Sequence, residues 1–178
     1  MNTYHKIQTV YKRDPNTKFK TLLEGDFSLR EFYYLRNNKW IYTEKVNGTN
    51  IRIQWQPQEL NPICFVGKTD EAQILPHLYK SLISMTDYDK FANVFNTSID
   101  DYACLYGEGY GPKIQKGGGN YRKDPGFVLF DVKIGEWWLR REDVEDIGSK
   151  LGLDVVPIIG SGTLYDMVEM TRNGFNSR

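Results

Sequence analysis

The sequence predicts an α+β domain built on antiparallel sheet, and three observations predict it. Short apolar runs of strand length outnumber helical patterns, and they arrive in hairpin-like clusters. The regular strand–helix alternation of a doubly wound fold is missing. Length agrees with this, because 178 residues make one domain, or one with a small appendage, able to bury a core without staples.

The elements follow in order. Residues 11–31 are polar and mixed, and Asp14-Pro15-Asn16 marks a turn within them. From Trp40 the pattern becomes β. Ile51, Ile53 and Trp55 alternate with Arg52 and Gln54, the signature of a half-buried strand. Residues 63–66 form a second short strand that ends at Gly67. Leu75, Leu78, Leu82 and Met85 repeat at helical spacing, and a second helical stretch follows over 91–95. Residues 102–106 and 127–134 are predicted as buried strands, separated by the glycine-rich segment 107–126. Gly135-Glu136 makes a two-residue turn into Trp137-Trp138-Leu139. Residues 141–151 form a helix with Val144, Ile147 and Leu151 on one face and Gly152 as its stop. Residues 155–159 are the last strand, and Ser161-Gly162-Thr163 caps a final helix that runs through Met170 and ends near Gly174.

Composition excludes several function classes. Twenty-three basic and 23 acidic side chains cancel, which argues against a binder that relies on a broad positive field but leaves room for a local basic groove. A hydrophobic content of 40% with 14% aromatics is far from a disordered chain. Cys64 and Cys104 lie in apolar runs without a CxxC, and the histidines are only His5 and His77, so no zinc constellation and no metal ligands are identified. Both thiols are expected to be reduced and buried. The first residues lack the apolar core of a signal peptide, and no window reaches the ~20 apolar residues of a membrane helix. The expectation is a cytoplasmic protein away from membranes.

Three segments are equipped for chemistry. In Tyr42-Thr43-Glu44-Lys45-Val46-Asn47-Gly48-Thr49-Asn50 a lysine stands between two strands, with Glu44 beside it and amides at Asn47 and Asn50. Gly48 permits a positive φ and a close ligand approach. A lysine nucleophile requires desolvation or cationic neighbours to shed its proton. The plainer reading of these residues is an Asn-Gly hairpin turn with Lys45 solvated. In Tyr106-Gly107-Glu108-Gly109-Tyr110-Gly111-Pro112-Lys113-Ile114-Gln115-Lys116 the glycines fit neither GxGxxG nor a P-loop. Glu108 ends an apolar strand. The loop cations Lys113, Lys116, Arg122 and Lys123 beside tyrosines suit phosphates and stacked bases, or are solvated surface charge. In Gly126-Phe127-Val128-Leu129-Phe130-Asp131-Val132 a single carboxylate interrupts a buried strand, so Asp131 must be paired or functional. Phe130 is either core or a stacking platform.

Taken in order, these segments resemble the covalent nucleotidyltransferases, the ATP-dependent polynucleotide ligases and mRNA capping enzymes, and most closely the RNA ligase 2 family. That family's nucleophile motif reads E-K-x-H-G-T-N, matched by Glu44-Lys45-Val46-Asn47-Gly48-Thr49-Asn50. Its G-E motif followed by G-P-x-I-Q-K is matched by Gly107-Glu108 and Gly111-Pro112-Lys113-Ile114-Gln115-Lys116, and its F-D strand by Phe130-Asp131. Val156-Pro157-Ile158-Ile159-Gly160 is similar to the apolar strand that follows. The resemblance covers roughly residues 38–165. It implies an α+β, antiparallel-sheet nucleotidyltransferase domain of the ATP-grasp-like ligase type with flanking helices, filling 1–178 without a second domain.

The resemblance also implies roles. Lys45 attacks the α-phosphorus of ATP and expels pyrophosphate, leaving lysyl-AMP. Glu44 recognises adenine, Phe130 stacks under it, and Asp131 supports the site. Glu108 bonds the ribose, and Asn47 and Asn50 lie along the nucleotide, with Asn50 orienting the phosphates. Lys68 stands where the family has an arginine near ribose or phosphate. AMP then passes to a 5′-phosphate end, and a 3′-hydroxyl displaces it to seal an RNA end or nicked duplex, with Mg²⁺ neutralising the triphosphate. Asn47 departs from the family histidine, as in some tRNA ligases, and Lys68 loses the arginine fork. The family's later E-G-hydrophobic-V and K-x-K strands have no counterpart before Arg178. The chain is thus expected to be the front portion of such a domain, one that keeps the adenine half of the pocket and adenylylates slowly or not at all alone. Two alternatives stand beside an RNA ligase. One is a DNA ligase or GTP-using capping enzyme, and the other is a non-catalytic nucleic-acid-binding module using the basic loop.

Overall fold

Ten strands and five α-helices form among the described residues, 3–95 and 102–177 of this computed structural model. In chain order they begin with β1 (Tyr11–Arg13), β2 (Leu22–Phe27), α1 (Arg30–Tyr34), β3 (Trp40–Thr43), β4 (Thr49–Trp55) and β5 (Ile63–Val66). Next come α2 (Pro76–Met85), α3 (Tyr88–Val94), β6 (Ala103–Tyr110), β7 (Gly126–Ile134) and β8 (Trp137–Trp138). The chain finishes with α4 (Arg141–Leu151), β9 (Asp154–Val155), β10 (Ile158–Gly162) and α5 (Leu164–Asn173). They divide into two compact units, one of Met1–Tyr4 with Lys45–Val156 and the other of His5–Glu44 with Pro157–Arg178.

The larger unit is a sheet in the order β5-β4-β6-β7-β8, antiparallel throughout, to which β9 adds a short parallel pairing with β7. On one face Ile51, Ile53, Leu105, Leu129 and Val132 meet Leu78 and Leu82 of α2, Phe91 of α3 and Val144, Ile147 and Leu151 of α4. These side chains leave water almost completely, and each is worth roughly 1.5–3 kcal/mol of transfer free energy. The other face carries polar pairs set by register: Asn50 opposite Glu108, Arg52 opposite Tyr106, and Gln54 opposite Cys104. The smaller unit holds the β1–β2 hairpin and a β3–β10 pair. Its helix α5 starts on a capping box, in which Thr163 and Asp166 satisfy each other's backbone N–H groups.

Most of the predicted elements form; four elements and the burial of one thiol differ. β4 is buried on both faces, with Arg52 0% exposed, so its polar positions line a second interior and do not face solvent. Strand β6 runs on through residues 107–110, expected in the glycine-rich segment; position 107 admits only glycine, because an added Cβ would strike the Phe127 ring and the Val128 carbonyl. The strand expected over 155–159 is broken at Pro157, which cannot donate to a ladder, into β9 and β10 in different units. The polar stretch 11–31 contains two strands around the expected turn, where Asp14 accepts from the Asn16 N–H at 2.8 Å. Finally, Cys104 is buried, but Cys64 is only half-buried; both are free thiols.

Candidate active site

Lys45 is exposed, belongs to the larger unit and stands two residues after the end of β3. The segment that follows is no hairpin turn: β3 pairs with β10, whereas β4 pairs with β5 and β6. Gly48 is also outside the left-handed region. It is glycine because a Cβ there would collide with the Gly109 carbonyl oxygen and sit 2.8 Å from the Glu108 Cγ. This close approach lets the Gly48 N–H donate to the Glu108 carboxylate.

Glu108 is half-buried on β6, opposite Asn50 on one side and Val128 on the other. Burial pushes its carboxyl above the ordinary value, while the Lys45 charge and the Gly48 N–H pull it back. Asn50 Oδ1 is buried with no hydrogen-bond partner, a cost that calls for a ligand donor. Beside these groups Val46, Val128 and Val156 form a small apolar cluster, with Tyr110, Tyr121 and Phe130 packed against it. The site thus combines an exposed amine, a desolvated carboxylate, an orphan acceptor and an apolar wall, a set able to receive hydroxyl donors beside a flat apolar ring.

Phe130 lies in a bulge of β7. Tyr106 of β6 pairs with Asp131, and its neighbour Gly107 pairs with Leu129, so Phe130 has no opposite residue. Asp131 has the partner its burial demands, because the Tyr4 hydroxyl donates to its Oδ2. The Tyr4 ring also lies edge-on to Phe130 at 4.9 Å between centroids, and 5.3 Å from Tyr106. Burial first, and Asp131 second, hold the Tyr4 phenol well above its usual range, so it stays a donor.

Lys68 is exposed just after β5. The turn carrying it is tied by Arg52, whose Nε donates to the Gly67 carbonyl at 3.0 Å and whose Nη2 meets Asp70 at 2.7 Å. The guanidinium holds the Asp70 carboxyl below its usual value. Glu44 belongs to the smaller unit, where it is buried, donates its N–H to the Pro157 carbonyl and accepts from the Ser177 hydroxyl. Asn47 is exposed, as are Lys113, Lys116 and Lys123. Arg122 is half-buried, its guanidinium 5.4 Å from the Tyr110 ring centroid and 3.6 Å from Asp154.

The structure therefore gathers Lys45, Gly48, Asn50, Glu108 and the Phe130 wall, while Lys113, Lys116 and Lys123 stand exposed on the segment between β6 and β7. Sequence reasoning missed Tyr4, Arg52 and Asp70. The signals for them were the unmatched charge of Asp131 and an arginine in the middle of a strand. Among the described residues no group of three or more His, Cys, Asp or Glu side chains is placed to hold a metal ion.

Comparison places this geometry among known proteins. No curated protein matches the sequence. Solved structures of a Naegleria gruberi RNA ligase share the fold. A mutant with AMP and Mn is 16% identical with a TM-score of 0.61, over 92% of this chain and 47% of that one. A mutant with ATP and Mn is 18% identical with a TM-score of 0.56, over 75% and 39%. An apo mutant is 18% identical with a TM-score of 0.58, over 79% and 42%. The chain thus spans less than half the length of these relatives. The RNA ligase family model matches residues 38–174, which include Lys45, Glu108 and Phe130 with all their strands: this chain belongs to the RNA ligase family.

Proposed function

We propose that this chain is the nucleotidyltransferase portion, over 1–178, of an ATP-dependent RNA ligase of the cytoplasm. The observation that carries the reading is the juxtaposition of Lys45, Gly48 and Glu108 across from the orphan acceptor of Asn50. In this reading the Lys45 Nζ lone pair attacks the α-phosphorus of ATP. An N–P bond forms, the bond to the β-phosphate oxygen breaks, pyrophosphate leaves and Nζ gives up a proton. Glu108 accepts from the ribose and Asn50 from the nucleotide, while Phe130 supports the base with Asp131 behind it. Glu44 and Asn47 flank the nucleophile, and Lys68 reaches phosphate or ribose.

AMP then passes to a 5′-phosphate end, and a 3′-hydroxyl displaces it. RNA ends or nicked duplexes are the substrate, approached through Lys113, Lys116, Arg122 and Lys123; DNA is the alternative. Magnesium enters with the triphosphate, and no residue of this chain is assigned to it. The family membership and the solved relatives, determined with ATP or AMP and Mn, support this reading.

Intact mass before and after ATP with Mg²⁺ tests it, beside Lys45→Ala. The expected result is a gain of one AMP that the variant loses, slow in the 178-residue chain. A chain that neither gains mass nor binds ATP by calorimetry would sink the proposal.

A further inference from the structure

We propose that Tyr4 is a positioning residue of the nucleotide site, one that holds Phe130 and Asp131 from outside the part of the chain matched by the family. The inference rests on the function proposed above.

Tyr4 lies 127 positions from Asp131 in sequence, yet its hydroxyl donates to that carboxylate. Its ring meets Phe130 at 4.9 Å, Tyr106 at 5.3 Å and Trp138 at 5.7 Å. One side chain thus grips both residues of the F-D pair. The grip matters because of the bulge. A ladder residue has its direction set by the strand opposite, whereas Phe130 faces no partner in β6 and must be oriented by packing. On one side the Val46, Val128 and Val156 cluster supplies that packing, and the Tyr4 ring supplies an edge contact. Asp131 next to it follows the same logic. A half-buried carboxylate turns toward its donor, and Tyr4 is a neutral phenol that keeps its proton across the working pH range.

The alternative is that Tyr4 only fills space. ATP affinity separates the two, measured by calorimetry in a Lys45→Ala background so that binding is read without transfer. Tyr4→Phe keeps the ring and loses the hydroxyl. It is expected to weaken ATP binding about tenfold, the effect of one hydrogen bond to a charged group, while melting remains cooperative. Asp131→Asn should weaken binding to a similar degree, and the double variant should be no worse than either alone. Tyr4→Ala, which also removes the edge contact to Phe130, should bind more weakly than Tyr4→Phe.

Additive losses, or wild-type affinity in Tyr4→Phe while Asp131→Asn is impaired, would overturn the inference and leave the proposed function standing. If Asp131→Asn and Phe130→Ala both bind ATP normally, the site reading falls and this inference falls with it. Thermal melting of each variant shows whether it has folded, and Tyr4→Phe is conservative enough to serve if Tyr4→Ala does not.

Discussion

Glu108 is a carboxylate held where burial disfavours its charge. Its carboxyl is desolvated against β4 and β7, and the Lys45 charge and Gly48 N–H only partly compensate, so its folded pKa lies above the ordinary 4.5. The sign of the pH effect follows. Between 4.5 and the folded value the native state holds a proton the unfolded chain has released, so stability falls as pH rises through that interval. Above it the full penalty of a buried charge remains. Glu108→Gln keeps an acceptor for the Gly48 N–H and removes the charge. Melts at pH 7 should therefore find the variant more stable than the parent, with the difference shrinking as pH is lowered toward 4.5. A variant less stable at pH 7 would show that the carboxylate is net stabilising where it stands.

At the scale of elements, β6 decides where the site can be. Four of its eight residues, 107–110, fall in the segment that reads in sequence as a glycine-rich loop, because glycine weakens strands. The strand survives because its neighbours crowd it. Phe127 and the Val128 carbonyl occupy the space of a Gly107 Cβ, and Leu78 lies 2.6 Å from where a Gly109 Cβ would be. Gly107→Ala forces the fully buried Phe127 ring or the strand itself to move. The expected cost is about 1–3 kcal/mol, with a fall in Tm of about 2–4 °C for each kcal/mol. Gly119→Ala, where a Cβ meets nothing within 4 Å, serves as the neutral control. Equal melting of the two variants would mean that β6 tolerates displacement at its centre.

At the scale of the whole molecule, the two units differ in what holds each of them. The larger one has a continuous core beneath a five-strand path, and residues such as Ile53, Leu105 and Leu129 are 0% exposed. In the smaller one Tyr11, Tyr42 and Leu164 are the buried hydrophobic side chains among the described residues, and β2 is exposed along nearly its whole length. Backbone hydrogen bonds near water open more easily than those under a core. Hydrogen exchange read by mass spectrometry should therefore find β4, β6 and β7 most protected and β1 and β2 fastest. Equal protection across the chain would contradict a core confined to the larger unit.

Much of this was readable in the residues themselves. Helices α2, α3, α4 and α5 and strand β5 follow from periodicity and end signals, because each is decided by its own spacing and caps: Gly152 in the left-handed region and the Thr163 capping box are local facts. The order of the three chemical segments is local too, and it sufficed to point to the family. What needed the tertiary structure is everything that depends on register and on distant neighbours. Asn47-Gly48 reads as a hairpin turn until β3 takes β10 as its partner. The alternation of β4 reads as half-buried, whereas Arg52 is fully buried and tied to the Gly67 carbonyl and Asp70. Asp131 announces that it needs a partner but cannot say which, because a hydroxyl 127 positions away is invisible to any local pattern. Local propensity acts over a few residues, whereas the site is assembled by strand pairing and packing between segments far apart in the chain. The sequence by itself therefore determined the family and the order of its segments, and only the fold decided which residues of those segments meet.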